Sequence, residues 1–246
     1  MNGFAEAEII ARQDWAPGLM TLTVAALTEP FVAGQFLNLG LERGGEVVKR
    51  PYSIAAAPGQ PLQFYLKEVR GGGFTPEIFR LGVGAQLLVE RKPQGFFTLA
   101  YVPPCSEMWF VATGTGLGPF IAMLRSGEPF QRFERVVLVH GVRAPAELSY
   151  TEELAQWAAR YPGRFTHVSL VSGPVAGAAL AGRVTSALVA GTLEASAGVR
   201  LDPERSHVML CGNPQMIAEF TQLLGDRGLR KHRVRTPGHV TSEKYW

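Results

Sequence analysis

The run Met108-Trp109-Phe110-Val111-Ala112 is continuously apolar and ends in Thr113-Gly114-Thr115-Gly116-Leu117-Gly118-Pro119, after which a helical pattern continues through Arg125. An apolar strand, a glycine turn and a helix, in that order, open a βαβ unit. Further apolar strands are expected at Arg135 to His140, Phe165 to Val171 and His207 to Cys211. Amphipathic segments at Thr151 to Tyr161 and Gln215 to Leu224 accompany them. Strands alternating with helices build a parallel α/β sheet.

Upstream of that run the period changes. Met20-Thr21-Leu22-Thr23-Val24, Gln35-Phe36-Leu37-Asn38-Leu39 and Gln63-Phe64-Tyr65-Leu66-Lys67 alternate apolar and polar residues, and Glu42-Arg43-Gly44-Gly45 reads as a hairpin turn. Short antiparallel strands at this density favour a closed barrel, which leaves no edge exposed. Pro93, Pro103 and Pro104 mark the passage between the two patterns. The expected organisation is an N-terminal antiparallel β-barrel over 1–100 and a C-terminal α/β parallel-sheet nucleotide-binding domain over 101–246.

Composition narrows the chemistry. The chain has 246 residues, 46% hydrophobic and 18% charged, enough for two modest cores. Two cysteines, Cys105 and Cys211, are too few for a disulfide framework, a structural zinc or an iron–sulfur cluster, so any electron handling needs an organic cofactor. The five histidines show no paired metal-binding spacing, and no metal is expected. The net charge is +3, with a basic run Arg227, Arg230, Lys231, Arg233, Arg235. No aromatic-rich strip accompanies it, which argues against nucleic acid and for a solvated face or a docking surface for an acidic protein. Met1 to Arg12 lacks the pattern of a secretory signal and no apolar stretch is long enough to span a bilayer, so the expected setting is the cytoplasm without membrane insertion.

The glycine turn lies where a dinucleotide diphosphate meets a helix N-terminus, although a tight βα turn alone would read the same way. The second α/β strand leads through Val139-His140-Gly141-Val142 to Arg143 rather than to an acidic residue, and Arg183 follows in Ala181-Gly182-Arg183. Guanidinium groups there suit a 2′-phosphate through their planar donor fork.

Four segments in order resemble the bacterial ferredoxin/flavodoxin-NADP reductase family over essentially the whole chain: Arg50-Pro51-Tyr52-Ser53, Ala112 to Phe120, Cys211-Gly212-Asn213-Pro214, and the tail from Gly238-His239 through Glu243-Lys244-Tyr245-Trp246. The resemblance implies an FAD enzyme that exchanges electrons between NADPH and ferredoxin or flavodoxin, acting as a monomer. It implies that Arg50 pairs with the FAD diphosphate, Tyr52 stacks on the isoalloxazine, and Ser53 hydrogen-bonds near the reactive flavin nitrogen. Phe64, Tyr65 and Leu66 correspond to the next flavin strand, and the amides of Gly73, Phe74 and Thr75 to the diphosphate loop. Thr115 is placed at the junction of flavin and nicotinamide. Gly116, His140, Gly141, Val142, Arg143, Arg183, Cys211, Gly212 and Asn213 are placed on the NADP side. Ser53, Cys211 and Glu243 are the implied catalytic residues, Glu243 as a proton relay, with Tyr245 against the isoalloxazine and Trp246 toward the adenine.

One departure from the family is Val171-Ser172-Gly173, where an arginine often follows the serine and contacts the 2′-phosphate. Alternative readings are an NAD(P)H-dependent flavin reductase or oxygenase reductase component and, outside enzymes, a nucleotide-binding regulatory module.

Overall fold

The structure, a computed structural model, describes residues 3–174 and 179–245. Among the described residues twelve strands run in chain order as β1 (Phe4–Ala16), β2 (Leu19–Ala25), β3 (Phe36–Arg43), β4 (Glu46–Ser53), β5 (Leu62–Lys67), β6 (Gln86–Glu90), β7 (Glu107–Thr113), β8 (Arg135–Val142), β9 (Phe165–Val171), β10 (Leu180–Ala181), β11 (Ser206–Gly212) and β12 (Val240–Lys244). The α-helices are α1 (Thr75–Ile78), α2 (Gly118–Ser126), α3 (Glu128–Arg132), α4 (Thr151–Arg160), α5 (Val184–Val189), α6 (Thr192–Ala197) and α7 (Pro214–Gly225). They form two compact units, Met1–Leu99 with Gly118–Ser126, and Ala100–Leu117 with Gly127–Trp246.

The first unit holds a six-stranded antiparallel sheet in the order β4-β3-β6-β1-β2-β5. Its two end strands meet through an Ile54–Phe64 bridge, with the Ala55 amide donating to the Gln63 carbonyl at 2.8 Å, so the sheet curls into a barrel. Alternation puts Ile9, Met20, Leu22, Val24, Leu37, Leu39, Phe64, Leu66 and Val89 into one core. Each such side chain, fully buried, contributes about 1.5–3 kcal/mol. The sequence pattern reads α2 as part of the βαβ unit, but it packs within the first unit. Phe120 tilts against Phe97 with ring centroids 5.7 Å apart, and Arg125 donates to the Ala55 carbonyl at 2.8 Å and to Gln63 Oε1 at 2.5 Å. Every residue from Gly118 to Leu124 is buried, so this helix has no solvated face to lay outward.

The second unit holds a parallel sheet ordered β10-β9-β8-β7-β11-β12. The chain fills it outward from β7 through β8 and β9 to β10, then returns to the other side of β7 with β11. The order therefore reverses between β7 and β11, and in open α/β sheets ligands bind beyond the carboxyl ends of the strands at such a reversal. Trp109, Val111, Val139, Leu170 and Leu210 form the centre of its core with Ile217 and Phe220 of α7. The strand β12 was not expected from the sequence. It runs parallel to β11, pairing Val208 with Val240 and Cys211 with Glu243.

Candidate functional site

In the barrel unit, Arg50 and Tyr52 stand two apart on β4 and so share one face of that strand. The Tyr52 ring stacks on Phe74, centroids 6.2 Å apart and planes at 21°. This contact brings the strand bearing Arg50 to the loop of Gly73, Phe74 and Thr75. Burial pushes the Tyr52 hydroxyl up to about 12, with the Arg50 charge pulling the other way. The Arg50 guanidinium donates only to the Lys49 carbonyl, at 2.8 Å, and pairs with no carboxylate among the described residues. The Gly73, Phe74 and Thr75 amides likewise donate to no acceptor among the described residues. A guanidinium without a carboxylate partner and three successive unsatisfied N–H groups form a concentration of donors suited to a diphosphate. On these grounds the residues present fit the FAD diphosphate.

Ser53, beside Tyr52, is buried at 5% exposure, and Pro51 is exposed. Phe64 and Leu66 point into the barrel core, so of the expected flavin-strand residues these two have only their main chain to offer a ligand. Tyr65 points the other way and is still 4% exposed, lying near Gly118 of α2.

In the second unit the local geometry is set by two glycines at the β7/β11 reversal. A Cβ on Gly116 would lie 2.4 Å from the Cys211 carbonyl oxygen, and one on Gly212, whose φ is +130°, would lie 2.3 Å from Thr113 Oγ1. Only glycine permits this approach. It holds the turn carrying Thr115, 4% exposed, against the main chain of Cys211, which is fully buried and far away in the sequence. Burial pushes the Cys211 thiol well above its ordinary range, with Glu243 adding to the effect, so it stays a neutral thiol. Across the strand pair, Glu243 is itself pushed up to about 7 by burial. Its Oε2 is buried without a partner among the described residues. The Tyr245 amide donates to the Gly212 carbonyl at 3.0 Å, which fixes the tail alongside this turn. Trp246 lies outside the described residues.

Asn213 serves the protein itself. Its side-chain oxygen accepts from the Gln215 and Met216 amides at 2.8 and 3.3 Å, capping α7 ahead of Pro214. Its own amide donates to Thr113 Oγ1 at 2.9 Å.

His140 is a correction to the expected nucleotide contacts. It is completely buried, and its Nε2 lies 3.1 Å from the Gly114 carbonyl, beneath the turn rather than on it. Burial holds it neutral by pushing its pKa down to about 4. Gly141 is packed against Val184, and Val142 is buried. Arg143 and Arg183 are exposed beyond the carboxyl ends of β8 and β10, and neither guanidinium has a partner among the described residues. The Arg143 main chain is fixed, because Glu147 Oε2 accepts from its amide at 3.0 Å and its carbonyl accepts from Gly173 at 2.9 Å. The glycine turn and two exposed cations beyond the carboxyl ends of β8 and β10 fit a phosphorylated dinucleotide.

A flavin-type barrel joined in one chain to a dinucleotide-type parallel sheet defines a pyridine-nucleotide-dependent flavoprotein reductase. A family model described as oxidoreductase NAD-binding domain matches residues 110–222. The flavodoxin/ferredoxin–NADP reductase of Escherichia coli K12 is 41% identical over 248 residues, covering 100% of both chains. The ferredoxin–NADP reductase of Azotobacter vinelandii is 34% identical over 87% of this chain and 86% of its own. A crystal structure of a ferredoxin NADP+ reductase from Neisseria gonorrhoeae with bound FAD and NADP superposes with a TM-score of 0.92 at 28% identity, covering 99% of each chain. This chain belongs to the flavodoxin/ferredoxin–NADP reductase family.

Proposed function

We infer that the chain is an FAD-dependent oxidoreductase that exchanges electrons between NADPH and ferredoxin or flavodoxin. The observation that carries this reading is the end-to-end similarity, at 41% identity, to reductases of that name. When bound, FAD supplies the conversion between a two-electron nicotinamide donor and one-electron carriers. The protein's own contribution is distributed over the two units. Arg50 and the amides of Gly73, Phe74 and Thr75 hold the flavin diphosphate, and Tyr52 covers the ring system beside Ser53.

On the nucleotide side, Gly114 and Gly116 admit the NADP backbone, while Arg143 and Arg183 take the 2′-phosphate, which NADH lacks. Cys211 shapes the nicotinamide pocket as a neutral thiol, and Glu243 holds or releases a proton near neutrality. The partner is an acidic carrier that docks transiently on a small polar surface. Among the described residues no helix is long and apolar enough to cross a membrane. We place the enzyme in the cytoplasm as a monomer, with 1–100 as its flavin domain and 101–246 as its nucleotide domain except for α2, which packs with the first.

The test is direct. The purified protein is incubated with FAD and desalted, its visible spectrum is recorded, and it is mixed in stopped flow with NADPH or NADH, then with oxidised ferredoxin or flavodoxin. Yellow protein, reduction faster with NADPH, and reoxidation by either carrier are expected. A protein that retains no flavin, or one reoxidised only by free flavin, overturns the reading.

A further inference from the structure

The Arg43 hairpin turn has no place in the function described above, yet its side chain reaches the loop whose amides are unsatisfied. Arg43 ends β3, with Gly44 and Gly45 at positive φ turning the chain into β4. Its guanidinium donates to the Gly73 carbonyl and to Glu77 Oε2, the latter from Nε at 2.9 Å. Gly73 is thirty residues away in the chain.

The loop is also fixed on either side of the Gly73–Phe74 peptide: the Phe74 ring stacks on Tyr52, and the Phe74 carbonyl accepts from the Glu77 and Ile78 amides at 3.1 and 3.2 Å. The Val69 amide donates to Thr75 Oγ1 at 2.8 Å, and the Gly72 amide donates to the Val69 carbonyl at 2.9 Å. These close the loop at its base. Nothing else among the described residues holds the Gly73 peptide, whose carbonyl must point away for the Phe74 amide to point outward. The two groups belong to the same peptide plane, so orienting one orients the other.

We propose that Arg43 is a positioning residue for the flavin diphosphate: it holds the Gly73–Phe74 peptide so that the amides of Gly73, Phe74 and Thr75 face the ligand, while Glu77 keeps its own charge paired. The inference rests on the reading of this loop as the FAD diphosphate loop. Because Arg43 and Glu77 form a partly exposed pair, 38% and 42% exposed, their mutual attraction adds little stability by itself. Their effect lies in preorganisation, which lowers the cost of ordering the loop when the ligand arrives.

The experiment compares wild-type protein, Arg43→Ala and Glu77→Ala as full chains, by FAD titration and by residue-resolved hydrogen exchange with and without FAD. Arg43→Ala should weaken FAD binding about tenfold, the scale of one charge-assisted hydrogen bond. It should also speed exchange of the Val69, Gly72 and Ile78 amides before FAD is added, leaving the strands of the barrel as protected as in wild type.

Glu77→Ala separates positioning from simple charge attraction. If Arg43 attracted the phosphates directly, removing the neighbouring carboxylate would tighten FAD; positioning requires that it weaken. Unchanged loop exchange in Arg43→Ala, or tighter FAD in Glu77→Ala, overturns the proposal. The reading beneath it fails separately, if FAD does not slow exchange of the Gly73, Phe74 and Thr75 amides in the wild-type protein. Should Arg43→Ala lose barrel protection throughout, Glu77→Ala and Arg43→Lys carry the test, with the lysine variant expected to recover part of the affinity.

Discussion

Replacing Glu243 by glutamine should remove a pH-dependent loss of stability that the wild-type protein suffers near neutrality. Glu243 sits on β12 opposite Cys211, its Oε2 buried without a partner among the described residues, and burial raises its pKa from 4.5 to about 7. Between those values the unfolded chain has released its proton while the folded chain still holds it. Folding stability attributable to this group is therefore complete below 4.5, falls as pH rises toward 7, and is flat above. A shift of this size corresponds to about 3 kcal/mol. Three buried histidines act in the opposite direction: His140, His167 and His207, pushed down by burial to about 4, 4 and 3, favour folding more as pH rises toward 6.5. They are common to both proteins, so the difference between wild type and Glu243→Gln isolates the carboxyl group. Urea unfolding followed by fluorescence from pH 5 to 8.5 measures that difference. The glutamine variant should gain on wild type by about 2.5 kcal/mol between pH 5 and 8, over any constant offset from its amide. A difference that stays level across this range would show that Glu243 ionises as an ordinary exposed carboxylate, and would remove it as a proton-holding group near neutrality.

Arg143→Ala and Arg183→Ala should each raise the KM for NADPH, by up to the roughly 1.5–3 kcal/mol of a charged hydrogen bond, and leave NADH unchanged; equal losses with both nucleotides would make the arginines structural. Gly173→Arg, which would restore the arginine common in the family, should not improve NADPH use, because a Cβ there would meet the Arg143 carbonyl oxygen at 2.6 Å. A thermal melt lowered by the equivalent of about 1–3 kcal/mol, with a higher KM for NADPH, is expected; a tighter KM at unchanged stability would contradict the close approach. Gly116→Ala should lose a similar amount of stability and most NADPH affinity while keeping FAD, since its Cβ would press on the Cys211 carbonyl. Calorimetry with FAD and NADP measured separately reads both arms, and normal NADP binding would mean that the turn has room to shift.

The parts of this molecule legible in its sequence are those whose signal is local. Phe165–Val171 is legible as a strand because apolar and polar residues alternate along it between turns, and β7 because the Met108 run is continuously apolar up to its glycine turn. The Thr113–Gly116 turn was visible because glycine marks a close approach, and the structure supplies the object approached, the Cys211 carbonyl. What escaped was pairing at long range. Val240-Thr241 carries a β-branched signal, but five residues near a chain end do not reveal a sixth parallel strand until β11 offers its free edge. That pairing turns Glu243 from a terminal carboxylate into a buried one facing a thiol. His140 misled in the opposite way: its position after an apolar strand suits a ligand contact, but alternation does not tell which face of a doubly covered parallel strand is open, and here the ring lies under the Gly114 carbonyl. Arg43 illustrates the limit most clearly. In the sequence it is one residue of a glycine turn, and only the folding of β3 beside the Val69–Thr75 loop gives its guanidinium a peptide to hold. Local pattern thus marks turns and strands, whereas the contacts of Arg43 in one unit and of Gly212 in the other are defined by partners 30 and about 100 positions away.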